Sequence, residues 1–407
     1  MTPAPVPLSG ARFQTDPAAL YREIRREHGS VAPVLLDGGV PAWLVIGYRE
    51  MHQLTNDPVL FNRDPALWNQ WENIPRDWPL GPLIRHRTPS ALAAVSEEHR
   101  KRPTVISNAL AAVDFFELHD HVERYADELS DAVCGLGSAD LISDYAMLLP
   151  VRVMAALYGL ADEQGRELAV ALNVWMDGQA DALEGYAHVR NSMTDLLERR
   201  IARKSDDVVS RIVAERGDLS DEEIVDDLIA ILNGSHQPTA NWIGNTLRLM
   251  LTEDRFAASL FGGRSSVPEA MSEVLWEETP VQNMPARFAA RDTHFGGQHI
   301  HAGDMLLLGF QGANHDPQIL PERSTLTGGN RAHFAFSHGE HGCPFSAREI
   351  AEVLARTGIE VILDRLPDVD LAVPAEELKW RPSPWMRGLT ALPVRFTPTS
   401  AVEPPLG

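Results

Sequence analysis

The residues best placed to do chemistry are in one stretch, Phe336-Ser337-His338-Gly339-Glu340-His341-Gly342-Cys343-Pro344. A cysteine there ends a glycine-bearing loop directly ahead of an amphipathic pattern. Ala347, Ile350, Ala351 and Leu354 recur at helical spacing and give the following segment one apolar face. Backbone N–H groups and the positive end of a helix dipole stabilise a thiolate in such a loop. A thiolate so placed suits a soft or redox metal, and haem iron is one such partner. Two other readings compete. Cys343 could be a buried core thiol. His338, His341 and Cys343 could hold zinc, although no Cys-x-x-Cys or distant histidine pair at the usual spacing completes the set. Cys134 lies in a helical pattern and reads as a structural thiol.

The elements that must position this loop are mostly helical. Residues 1–15 are proline-rich and read as a loose arm, with one domain over 16–407. A helical pattern covers 16–27, and apolar runs at 31–36 and 42–46 flank Asp37-Gly38-Gly39, which predicts a β-hairpin. Residues 62–98 carry Trp68, Trp71 and Trp78 without periodicity and read as a long functional loop. Helices dominate 97–203. Ser220 and Glu223 form a capping box before a long apolar stretch, 224–251, which contains Gly234 and Pro238. A second capping box, Ser266 with Glu269, opens a helix to about 278. Short strands fall between 287 and 309. A last helix runs from about 347 to 356, stopped by Gly358, and 379–396 is β-like. The chain is therefore mainly α with minor β.

Composition narrows the function. Of 407 residues, 44% are hydrophobic and 23% charged, enough apolar material for a large core. Lys and Arg number 36 against 57 Asp and Glu, a net charge of −21, which argues against a nucleic-acid or anionic-membrane binder. No apolar run of about 18 residues predicts a spanning helix. The start lacks a signal-peptide pattern, and two cysteines suit a reducing cytoplasm.

The spacing around Cys343 resembles the cysteine-ligand loop of the cytochrome P450 family, and the resemblance extends over nearly the whole chain. His99-Arg100-Lys101-Arg102 sits where that family has its propionate-binding helix. Glu273 begins its Glu-x-x-Arg helix, Arg287 matches its β-strand arginine, and Pro321-Glu322-Arg323 its meander. The resemblance implies the P450 fold, with a long central helix over haem b (iron protoporphyrin IX) and Cys343 as the axial metal ligand. It also implies a haem contact set of His99, Arg102, Arg287, Phe336, Gly339 and His341. The implied activity is oxidation of a small organic molecule with O2 and external electrons.

Three departures from the family stand out. Trp276 replaces the arginine of the Glu-x-x-Arg pair, so Glu273 must rely on Arg323, backbone or water, because indole offers one N–H and no charge. In the long helix, Gln237 and Pro238 take the places of the family's acid and alcohol. Within the oxygen-side stretch Gly234, Ser235, His236, Gln237, Pro238 and Thr239, Ser235, His236 or Thr239 would have to relay protons in their stead. Proline also deprives the Gly234 carbonyl of its donor and should distort the helix. Phe345 replaces a glycine two residues after Cys343, where it could shield the sulfur.

The resemblance places the substrate pocket at Trp68, Trp71, Trp78, Trp175, Val281, Met284 and Trp385, with plain core as the competing reading for the loop tryptophans. The chain has no flavin or iron–sulfur module of its own. Electrons would come from a separate ferredoxin and ferredoxin reductase, steered by Arg100, Lys101, Arg102 and Arg348. A catalytically impaired haem-binding sensor is the alternative from another class. Product formation with a surrogate reductase or peroxide separates the two.

Overall fold

The computed structural model describes residues 4–74, 78, 80, 84, 101–176, 182–253, 255–256, 267–319 and 330–401. The chain divides into two compact units. One is built from 1–100, 272–343 and 380–387, the other from 101–271, 344–379 and 388–407.

The first unit is organised by a six-stranded mixed sheet. Its strand order is Val6–Pro7, Val31–Leu36, Val40–Val45, Met305–Leu308, Met284–Ala289 and Phe61–Asn62. The 31–36 and 40–45 strands form the hairpin the sequence predicts, with Val31 opposite Val45 and Leu36 opposite Val40. Because side chains alternate along a strand, the sheet feeds two apolar clusters. Ala32, Val34, Leu44, Met305 and Leu307 go to one. Val31, Val45, Leu306 and Leu308 go to the other. Both faces are thus covered, and Met305–Leu308 is buried along its whole length.

The arm read as loose is ordered from residue 4 onward. The Leu8 N–H donates to the Leu35 carbonyl at 2.9 Å, and Leu8 and Phe13 are buried. Proline density masked two apolar anchors that the sheet edge and its cluster capture.

The second unit is mainly helical. Helix Asp221–Thr252 starts with the capping box of Ser220 and Glu223. Helix Phe345–Arg365 is longer at both ends than the sequence pattern suggests, and Gly358 does not end it. A Cβ at Gly358 would stand 2.5 Å from Leu149 Cδ2. The Tyr145 hydroxyl donates to the Gly358 carbonyl at 2.6 Å. This glycine therefore permits close packing, where sequence alone suggested a helix stop. Of the β-like 379–396 region, Pro393–Arg395 forms a strand, joined to Ser138–Asp140 and Asp370–Leu371. Among the described residues, no helix is long and apolar enough to cross a membrane.

Candidate functional site

The cysteine loop is built by its own backbone. The Ser337 N–H donates to Phe334 O at 2.7 Å, Gly342 N–H to Gly339 O at 2.9 Å, and Cys343 N–H to Phe336 O at 2.9 Å. Ser337 and Gly339 both have positive φ, 58° and 74°. A Cβ at Gly339 would meet the Thr55 carbonyl oxygen at 2.3 Å, so only glycine fits that position. The loop is anchored at its start by Asn314. Its Oδ1 accepts from Phe334 N–H at 2.7 Å, while its Nδ2 donates to Leu275 O at 3.1 Å. Cys343 is half-buried and comes directly before Pro344, the N-cap of helix Phe345–Arg365. Phe336 and His341 are also half-buried.

A zinc centre at this loop is not what the geometry shows. The His338 ring packs 4.4 Å from the His52 ring, and its Nδ1 lies 3.3 Å from Thr55 Oγ1. Among the described residues, the metal-competent groups are Asp292–His299–His301 and His119–Asp120–Glu123, neither of which includes Cys343.

Arg287 lies in the Met284–Ala289 strand and is 1% exposed. The Phe61–Asn62 strand pairs Phe61 with Ala289 and Asn62 with Phe288, and Arg63 follows it directly, near enough for its charge to act on Arg287. Burial first, and then the Arg63 charge, hold the Arg287 guanidinium well below the usual arginine range. Burial pushes Arg63 down to about 10. Two like charges brought close in a desolvated setting repel one another. An anion between the two guanidiniums would reverse the sign of that interaction. Arg63 is the candidate residue that sequence reasoning missed. Its relation to Arg287 is a matter of strand register between segments more than 200 positions apart, and no local pattern signals it.

Trp276 is more than core filler. It is 2% exposed, and its indole N–H donates to the Asn330 carbonyl at 3.0 Å. The ring also meets His333 edge-on at 5.7 Å. Glu273 is half-buried, and its expected partner Arg323 lies outside the described residues.

In the second unit, helix Asp221–Thr252 is continuous in assignment and contains Pro238. Gly234 is exposed and Pro238 half-exposed, four residues apart on one face, with Ser235 beside them. His236, Gln237 and Thr239 are buried. His236 Nε2 lies 3.0 Å from the Met147 carbonyl, so its N–H is committed to the interior of this unit, which corrects its reading as a relay. The Ser235 hydroxyl donates to the Leu232 carbonyl at 2.9 Å.

Arg102 also requires correction as a cofactor contact. It is fully buried, and its Nε and Nη2 donate to the two carboxylate oxygens of Asp227 at 2.9 and 2.7 Å. Nη2 also bonds the Glu223 carbonyl at 2.9 Å. It cannot contribute to a surface basic patch. His99 and Arg100 lie outside the described residues.

Of the tryptophans read as pocket-lining, Trp68, Trp78 and Trp385 belong to an apolar core cluster of the first unit, and Trp71 packs against it. The Trp78 N–H donates to Asp37 O at 2.7 Å. Trp68 and Trp78 are thus placed as the plain-core alternative expects. Val281 and Met284 are partly buried, and Trp175 packs against Tyr186 at 4.9 Å. Phe345 is 67% exposed.

No family model matches the chain. Whole-length comparisons are informative. Cytochrome P450-SU2 of Streptomyces griseolus is 30% identical over 391 residues, 94% of this chain and 94% of that protein. The chain belongs to the cytochrome P450 family. The vitamin D(3) 25-hydroxylase of Pseudonocardia autotrophica is 30% identical over 404 residues, covering 97% of both chains. The structure of the ligand-free P450 monooxygenase TamI superposes with a TM-score of 0.83 at 28% identity, covering 97% of this chain and 94% of that one.

As a P450, the protein is a haem-thiolate monooxygenase that binds haem b and acts on a small molecule. The residues present fit that cofactor. The loop ending at Cys343 offers a half-buried cysteine, and the buried Arg287 with the half-buried Arg63 offers two cations suited to carboxylates such as haem propionates.

Proposed function

We propose that Cys343 would supply the thiolate that ligates the haem iron, that Arg287 and Arg63 would hold the propionates, and that Phe336, Gly339 and His341 shape the loop around the sulfur. When bound, the haem supplies reductive activation of dioxygen and insertion of one oxygen atom into the substrate. The chain's own contribution is to hold the cofactor's carboxylates, keep the sulfur partly shielded, and deliver protons on the oxygen side. That side is assigned to residues 234–239, and there the protein is unusual.

The observation behind this reading is the composition of the open face of helix Asp221–Thr252. Within residues 234–239 the positions that are not buried are Gly234, Ser235 and Pro238, and none of these ionises in the physiological range. Gln237 has no acidic proton to give. Proline lacks an N–H, so the Gly234 carbonyl has no intrahelical donor from position 238 and can instead bind a water or a substrate hydroxyl. Proton delivery then runs through solvent, the Ser235 hydroxyl or the substrate itself, and electron use is weakly coupled to product. The substrate is a small, largely apolar organic molecule. Electrons come from a separate ferredoxin and its reductase, in the cytoplasm, and residues 16–407 act as one catalytic domain.

The double variant Gln237→Glu/Pro238→Thr tests the reading. Product formed per NADPH consumed should rise severalfold with a surrogate ferredoxin system. Unchanged coupling would show that these two positions do not limit proton delivery.

A further inference from the structure

A small ladder in the first unit gathers ligating side chains that no role assigned above uses. Strands Thr293–Phe295 and Gln298–Ile300 pair antiparallel, with Thr293 opposite Ile300, His294 opposite His299 and Phe295 opposite Gln298. Gly296 and Gly297, at φ 55° and 81°, make the two-residue turn that such a hairpin requires. Phe295 and Ile300 are buried, while His294 and His299 are exposed. Side chains alternate along strands, so His301 falls on the same face as His299, and Asp292 on the same face as His294. One further step of the register sets Asp292 opposite His301.

The result is one exposed face carrying a carboxylate and three imidazoles. The ligand atoms of Asp292, His299 and His301 all lie within 4.8 Å of one another. The His299 and His301 rings stand 4.5 Å apart, and the His294 ring is 4.9 Å from His299. The backbone beneath them is held firmly. Asp292 Oδ1 accepts from Ala302 N–H at 2.8 Å, and His301 N–H donates to Asp304 Oδ2 at 3.0 Å. Asp304 in turn accepts from the Trp43 indole at 2.9 Å and from Asn69 Nδ2 at 2.7 Å.

We propose that this hairpin face is a transition-metal site, taking Zn2+ through His299, His301 and Asp292, with His294 adjacent. Two imidazoles and one carboxylate form a donor set that zinc accepts and that calcium and magnesium do not favour. Donor atoms around a tetrahedral zinc stand roughly 3.3 Å apart, given bonds of about 2.0–2.1 Å. Rotamer changes of exposed side chains on a fixed backbone are enough to close the remaining gap. Three protein ligands leave a fourth position for water or a further donor.

Calorimetric titration of untagged, haem-loaded protein with ZnCl2 tests the site, with His299→Ala/His301→Ala and His119→Ala measured alongside. These positions are exposed, and an unchanged haem spectrum reports that each variant is folded. The expected result is one saturable Zn2+ per chain, weakened at least tenfold in the His299/His301 variant and unchanged in His119→Ala. Nitrogen hyperfine structure in the EPR spectrum of bound Cu2+, lost in the same variant, supports the imidazole assignment. Absence of saturable binding below millimolar zinc, equal affinity in the His299/His301 variant, or loss of binding in His119→Ala would each overturn the proposal.

Discussion

Replacing Arg102 with methionine separates a structural arginine from a cofactor ligand. The guanidinium is fully buried and clamps Asp227, itself 3% exposed, through two charge-assisted bonds. Methionine fills much of the same volume but removes both charge-assisted bonds to the buried carboxylate. Breaking a buried, hydrogen-bonded ion pair on one side costs about 3–5 kcal/mol. Unfolding entropy of about 2.1 cal/mol/K per residue gives ~0.85 kcal/mol/K over 407 residues, so the thermal midpoint should fall by roughly 4–6 °C. The double variant Arg102→Met/Asp227→Leu removes both charges and should recover most of that loss. Haem content per chain, read from the ratio of Soret to protein absorbance, should be unchanged throughout. A single variant that keeps its melting midpoint but loses haem would refute the reasoning. So would a double variant whose loss equals the sum of the two singles.

Other outcomes follow from the same geometry. Trp276→Phe keeps the ring but strands the Asn330 carbonyl, at about 1 kcal/mol, and denaturant titration should show a correspondingly lower midpoint. Arg63→Gln relieves the repulsion on Arg287 but removes one of the proposed propionate donors, so haem transfer to apomyoglobin should accelerate on the order of tenfold. An unchanged rate would remove Arg63 from the site. The Asp162 carboxyl is held below its usual range by the Tyr125 hydroxyl and then by Arg124. A depressed carboxylate stabilises the fold above its unfolded pKa, and that contribution is lost as pH falls through the folded value. Asp162→Asn should therefore cost ~0.5–1 kcal/mol at neutral pH, discounted for its exposure. The difference from wild type should vanish as the pH drops below about 4. A gap that persists in acid would assign the effect to packing.

Local signals were legible in the sequence wherever the physics was local. The Ser220–Glu223 capping box, the hairpin around Asp37-Gly38-Gly39 and the loop before the Phe345–Arg365 helix all depend on neighbours within a few residues. What could not be read depends on distant partners. Arg102 looked like a haem contact because nothing nearby reveals Asp227 on another helix. Arg63 looked ordinary because its relation to Arg287 is set by strand register. Gly358 resembled a helix stop because Leu149 and Tyr145, which pack against it, arrive from another helix and a neighbouring turn. The loop tryptophans pointed to a pocket by composition, whereas Trp68 and Trp78 are buried in the sheet's apolar cluster.

The account rests on sulfur bound to iron at residue 343. The most direct measurement is the absorption spectrum of the dithionite-reduced protein under carbon monoxide, taken for wild type and Cys343→His. Wild type should give the strongly red-shifted Soret band of a thiolate-ligated haem, and the variant the shorter-wavelength band of imidazole ligation. A wild-type protein that already shows the imidazole-type band, or a variant that keeps the thiolate-type band, would contradict it.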